Sequence, residues 1–155
     1  MFGHKYVIDA VNAKGLREFV AGLGLDIDCY ARSVGIDPAV LGESGQRISL
    51  TKYAALLESL AAATGDDTIG LQLGEAYTLC DAGIFGLAFI NAPTVGHAVY
   101  FYEQYLHLIV DSPFHDLAVD EKQVTVSWSY WPIIPAVNQF VDFRAILFCR
   151  VLRRI

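Results

Sequence analysis

A chain of 155 residues is long enough to bury roughly two thirds of its unfolded surface around one core, without help from disulfides or metal. Hydrophobic residues make up 54% of it, yet the longest apolar runs, 84–90 and 145–149, fall far short of the ~18–20 residues that a spanning helix needs, which excludes one. A net charge of −6 argues against nucleic acid as the partner of this chain, because phosphate neutralisation needs clustered Lys and Arg.

The opening MFGHKYVIDAVNAKG has no sustained apolar stretch, so no signal peptide is expected, and residues 1–13 read as a flexible N-terminus. A first helix is predicted over 14–23, with Leu16, Phe19, Val20 and Leu23 on one stripe and Gly24 as its stop. Asp26 caps a second, short helix that Gly35 closes, and Pro38 opens a single turn ending near Leu41. Ser49 then caps the best amphipathic helix of the chain, in which Leu50, Tyr53, Ala54, Leu57, Leu60 and Ala61 share a face and Gly65 ends the element. Asp66 or Asp67 caps the next helix, through about Tyr77. A loop at 80–83 leads into a short buried helix at 84–91, and Pro93 with Thr94 starts a long helix reaching about Val110. Its inward stripe reads Val95, Ala98, Val99, Tyr102, Tyr105, Leu106 and Ile109.

Beyond Asp111 the period changes from helical to two: Val124, Val126, Trp128 and Tyr130 alternate with Gln123, Thr125, Ser127 and Ser129. With 115–119 and a polar turn at 120–122 this makes an antiparallel hairpin, and 136–155 form a final apolar helix. The expected fold is α+β, mainly α: an N-terminal helical bundle followed by a small antiparallel β-hairpin packed on a long helix and a C-terminal helix, all in one domain over 1–155. Such a hairpin needs a helix or further strands against it, and an open sheet edge invites pairing with another chain. Arg144, Arg150, Arg153 and Arg154 crowd the last helix, where cations offset the helix dipole.

Catalytic and metal chemistry find little support. His97 and His107 are roughly 15 Å apart along one helix at about 1.5 Å per residue, too far for one metal. Cys29, Cys80 and Cys149 stand at unrelated spacings that suit reduced thiols of a cytosolic protein. No Gly-x-Ser-x-Gly elbow, phosphate loop or dinucleotide fingerprint is present, so neither an enzyme nor a cofactor is expected. The spacing of Ala31, Gly35 and Leu41 imitates a helix-turn-helix, but Gly42, Glu43, Ser44 and Gly45 end the second element and supply no basic face, so a packed helix pair is the reading. The aromatic group offers more. Tyr and Trp carry polar handles that need partners when buried, and an apolar cavity with a few such groups suits a small ligand. The candidate pocket residues are Tyr102, Tyr105, Trp128 and Trp131, although Trp131 points opposite to Trp128 unless Pro132 bends the strand. In an acidic chain these aromatics would suit a cationic or amine-bearing ligand.

The order of the helix signals resembles a known family. The capped start at Ile48 to Leu50, TGDDTIGLQLG over Thr64 to Gly74, then Gly83, Phe85 to Gly86, Ala88, and Ala92 to Thr94 opening a long helix are similar to the N-terminal, arabinose-binding-like effector domain of AraC-type bacterial transcription regulators. The similarity starts near Gly15 and runs to the end through GLDIDCYARSVGIDPAVL and VTVSWSYW. It implies a non-catalytic, cytoplasmic sensing and dimerisation domain. The expected partners are a small-molecule effector and a second copy, with DNA bound only through a separate helix-turn-helix domain. Members of the family finish this domain and then add the DNA-binding part, so the resemblance implies an incomplete sensor domain here. The alternative is a standalone dimerisation module.

Overall fold

The computed structural model describes residues 6–111, 115–120, 123–130, 134 and 137–154. The segment expected as a flexible terminus is, from Tyr6 onward, part of the core. Strand β1 (Val7–Asp9) pairs antiparallel with β2 (Arg47–Ser49), Ile8 opposite Ile48, and Ile8 also bridges Val110. A 3₁₀ turn over Ala10–Ala13 follows, with all four residues buried. Three strand residues are too few for a period of two to register, and their partners lie some forty and a hundred positions away, so sequence pattern alone does not reveal them.

Helices α1 (Leu16–Gly22) and α2 (Ile27–Ser33) fall where their stops and caps place them, with the Asp26 side chain accepting from the Asp28 amide. Residues Pro38–Val40 form only a 3₁₀ turn, so the helix-turn-helix look-alike has no second helix. Helix α3 (Leu50–Thr64) starts at the Ser49 cap and ends at Gly65, whose φ of 68° is the left-handed conformation a closing glycine supplies. Its whole stripe is buried, and the Tyr53 hydroxyl donates to the Asn12 carbonyl at 2.9 Å.

Helix α4 (Ile69–Ala76) corrects one expectation: the cap position is Thr68, not an aspartate, and it makes no side-chain cap bond. Asp66 instead accepts from the Thr68 amide and hydroxyl and from Gln72, bonds that hold its carboxyl below the usual range. The first-turn amide of Gly70 is met from another element, by Gln139 Oε1 at 2.7 Å. Gln139 belongs to α7 (Asn138–Leu152), which crosses α4 at Gly70 and Gly74. A Cβ at Gly70 would overlap the Gln139 carbonyl, and one at Gly74 the Ile146 side chain. Those two glycines, one turn apart, let the helices touch backbone to backbone.

Helix α5 (Gly83–Ile90) is half-buried where full burial was expected: Phe85, Gly86 and Phe89 face inward, whereas Ile84 is 87% exposed. Helix α6 (Val95–Tyr105), capped by Thr94, stops short of Val110 and passes into a 3₁₀ turn over Leu106–Leu108. The cause is competition for backbone groups, since the Ile109 carbonyl accepts from the Asp9 amide and the Asp111 amide donates to the Val7 carbonyl. Strands β3 (His115–Val119) and β4 (Val124–Trp128) form the expected hairpin, His115 opposite Trp128. No single helix among the described residues is long and apolar enough to cross a membrane.

Candidate functional site

One hydroxyl gathers three elements. Tyr102, on the inward face of α6, is 5% exposed, and its oxygen accepts from the Trp128 indole on β4 at 2.9 Å and from Arg144 Nη2 on α7 at 2.7 Å. Around it Phe89 of α5, Trp128 and Phe148 of α7 pack ring against ring, with Tyr102 to Phe148 at 5.1 Å and Trp128 to Phe148 edge-on at 5.5 Å. Such pairs each add about 0.5–1.5 kcal/mol beyond burial, so the hairpin is anchored to the helices through its last strand residue.

Behind the ring cluster lies a cavity of about 40 Å³, walled by Leu79, Phe85, Phe89, Leu147, Phe148 and Val151, with Asn12, Tyr77, Tyr102 and Arg144 as its polar groups. By the measure that one water needs about 10–15 Å³ it has room for about three water-sized atoms. Among the described residues Arg144 is the one charged group in its lining. Only 6% exposed, it also lies with its guanidinium carbon 5.9 Å from the centre of the Tyr102 ring. Burial opposes its charge, but the neighbouring tyrosines Tyr102, Tyr130 and Tyr77 and the bond to Tyr102 outweigh that and hold its pKa above the ordinary guanidinium value. It is a cation at any working pH. Burial likewise pushes the Tyr77 hydroxyl up, and that group donates to the Val11 carbonyl at 3.0 Å.

Of the four aromatic candidates, Tyr102 and Trp128 come together. Tyr105 is 44% exposed and faces another groove, stacked on Phe101 at 4.8 Å beside Ile84 and Leu108. Trp131 lies outside the described residues. Sequence reasoning missed Arg144, which it assigned to end-compensation of the last helix. The arginine stands one turn after Phe140 and one turn before Phe148, in line with Phe143, Leu147 and Val151 on the buried face of α7. Helical spacing could have found it, as a lone cation on an apolar stripe. Arg150 does compensate a helix end, but that of α4, donating to the Gly74 and Tyr77 carbonyls. The cavity wall carries a guanidinium and no carboxylate among the described residues. Cys29, Cys80 and Cys149 are exposed free thiols, and no three His, Cys, Asp or Glu gather as a metal site among the described residues.

An ornithine utilization regulator of Pseudomonas aeruginosa is 25% identical over 103 residues, which cover 66% of this chain and 30% of that protein. The matched part is thus about a third of the relative's length. The model of the arabinose-binding domain of AraC transcription regulators, N-terminal part, matches residues 24–155. The chain belongs to this family of AraC-regulator arabinose-binding domains.

Proposed function

We propose that this chain senses a small molecule for an AraC-type transcription regulator, without catalysis, in the cytoplasm. The effector enters the aromatic cavity between α5, α6 and α7. The observation that carries the reading is the Tyr102 hydroxyl, shared between the hairpin and α7 at the cavity wall. A ligand that bonds to this hydroxyl or to the Arg144 guanidinium beside it changes how β3–β4 sits on the helices. To act as a signal it must bind one arrangement more tightly than the other. Tyr102 forms part of the ligand wall in this reading, and Trp128, which does not line the cavity, acts through its indole bond to Tyr102. Tyr105, in its separate groove, contributes only indirectly.

The name of the Pseudomonas relative points to amino-acid chemistry, so L-ornithine is the first compound to titrate, within a panel of amino acids, amines, sugars and organic acids. Isothermal calorimetry together with tryptophan emission is the test. Heat accompanied by a change in tryptophan emission is expected for one member of the panel; a silent panel in both readouts would remove the sensing function. DNA contact belongs to a separate domain of such regulators, and no gel shift at low salt is expected from this acidic chain.

Self-association completes the proposal. Among the described residues β3 and β4 have only each other as strand neighbours, and Val119, opposite Val124, is 67% exposed. An apolar, unpaired edge of this kind is satisfied by the same edge of a second copy. Sedimentation at rising concentration is expected to report a dimer that Val119→Lys weakens; a monomer at all concentrations would count against it.

A further inference from the structure

We propose that the ligand of this cavity carries a carboxylate, received by the Arg144 guanidinium and the Tyr102 hydroxyl. The inference rests on the sensing function above and names the chemical class of its effector. The Tyr102 oxygen accepts two hydrogen bonds, from Trp128 Nε1 at 2.9 Å and Arg144 Nη2 at 2.7 Å. Neither an indole N–H nor a guanidinium can accept one in return, so the phenol keeps its own proton to donate. Arg144 has five N–H donors in a planar fork, and Tyr102 is the hydrogen-bond partner it has among the described residues. Ion pairs among those residues join Lys14 to Asp81, and Arg17 and Arg32 to Asp28; none involves Arg144. A buried cation is costly unless paired, and the fork fits a carboxylate with two parallel bonds.

Two donors therefore converge on a space whose other walls are hydrocarbon and aromatic apart from Asn12 and the Tyr77 hydroxyl, which donate to the Asp9 and Val11 carbonyls. Its volume of about 40 Å³ suits the three heavy atoms of a carboxylate better than a whole metabolite. Phe148 also lines a larger groove of about 420 Å³ between the hairpin and helices α6 and α7, with Val95, Val99, Val126 and Leu152 as further apolar walls and Asp120 and Gln123 as its polar residues. The head of the ligand sits at Arg144 and its apolar body passes Phe148 toward that groove. An amine or a sugar offers the guanidinium no comparable partner.

The test uses three matched probes, L-norvaline, pentanoate and butan-1-amine, which share an alkyl chain and differ in carrying both charged groups, the carboxylate alone or the amine alone. Titration of the wild-type chain by calorimetry is expected to give binding of norvaline and pentanoate and at least tenfold weaker binding of butan-1-amine. Arg144→Met, with its fold checked by circular dichroism, is expected to weaken the two carboxylates about tenfold or more and to leave butan-1-amine unchanged. Tyr102→Phe, which keeps the ring, provides the second variant and should weaken them severalfold. The wild-type comparison stands even if Arg144→Met does not fold. Equal or tighter binding of the amine, or carboxylate binding indifferent to both variants, overturns the proposal. Binding of none of the three while a compound of the wider panel that lacks a carboxylate binds overturns it and leaves the sensing function standing; a carboxylate of that panel that binds supports it if Arg144→Met weakens it tenfold and overturns it if both variants leave it unchanged; silence from every compound overturns both.

Discussion

Arg144 and Tyr102 pose a problem of energy at the scale of single residues. A buried ion is retained at a cost, and replacing it with an apolar side chain of similar volume is often neutral, whereas removing its partner strands the charge. Tyr102→Phe takes away the hydrogen-bond partner Arg144 has among the described residues, along with the acceptor of the Trp128 indole. It is expected to cost about 2–3 kcal/mol in urea unfolding, the penalty for unsatisfied buried donors. Arg144→Met is expected to cost less, under about 1 kcal/mol, because it deletes the charge along with its need for a partner. The reverse order would mean that Arg144 holds the fold together rather than waiting for an anion. This pair also marks how far the site was legible in the sequence. Tyr102 and Trp128 were readable because aromatic residues on an inward stripe and an alternating strand must meet the core. Arg144 was not, because the same residue type near a helix C-terminus has an ordinary explanation, and only the position of Phe140 and Phe148 one turn either side argues otherwise.

Among the elements, the α4–α7 crossing is the most demanding contact. An exposed helical glycine replaced by alanine gains up to about 1 kcal/mol of helix propensity, so a loss at Gly70 or Gly74 must come from packing. At Gly70 the added Cβ meets the Gln139 backbone, which cannot yield without moving α7 and breaking the bond from the Gly70 amide to Gln139 Oε1. At Gly74 the nearest obstacle is the Ile146 side chain, which can rotate, although the Phe143 carbonyl stands 3.2 Å away. Overpacking of this kind costs about 1–3 kcal/mol. Gly70→Ala is therefore expected to destabilise by about 2–3 kcal/mol and Gly74→Ala by about half as much, read as shifts of the urea midpoint at constant slope. Equal midpoints would show that the helices slide apart freely. Helix starts and stops were largely visible beforehand because Ser49, Gly65, Thr94 and Asp26 act through bonds to their immediate neighbours. The cap of α4 escaped notice because it is supplied from Gln139, 69 positions along the chain, and no local pattern encodes such a partner.

For the whole molecule the question is what joins the N-terminal helices to the cavity half, and the segment 7–13 answers it. Ile8 lies against both Ile48 and Val110, so three distant stretches of chain meet at one buried isoleucine. The carbonyls of Val11 and Asn12 accept the buried hydroxyls of Tyr77 and Tyr53, and Asn12 itself lines the cavity. Removing residues 1–13 exposes the apolar faces that Ile8 and Val11 cover, at about 1.5–3 kcal/mol for each side chain. It also strands two tyrosine hydroxyls at about 1–3 kcal/mol apiece. The combined loss of about 5–12 kcal/mol equals the typical stability of a whole domain. A chain of residues 14–155 is therefore expected to show no cooperative thermal transition by circular dichroism and no ligand heat. If it melts cooperatively within a few degrees of the full chain, the segment is only draped on the surface and the cavity is formed by the later helices alone. The same segment ties the end of α6 down, because β1 bridges the chain at Val110 and bonds through Asp9 and Val7 to Ile109 and Asp111.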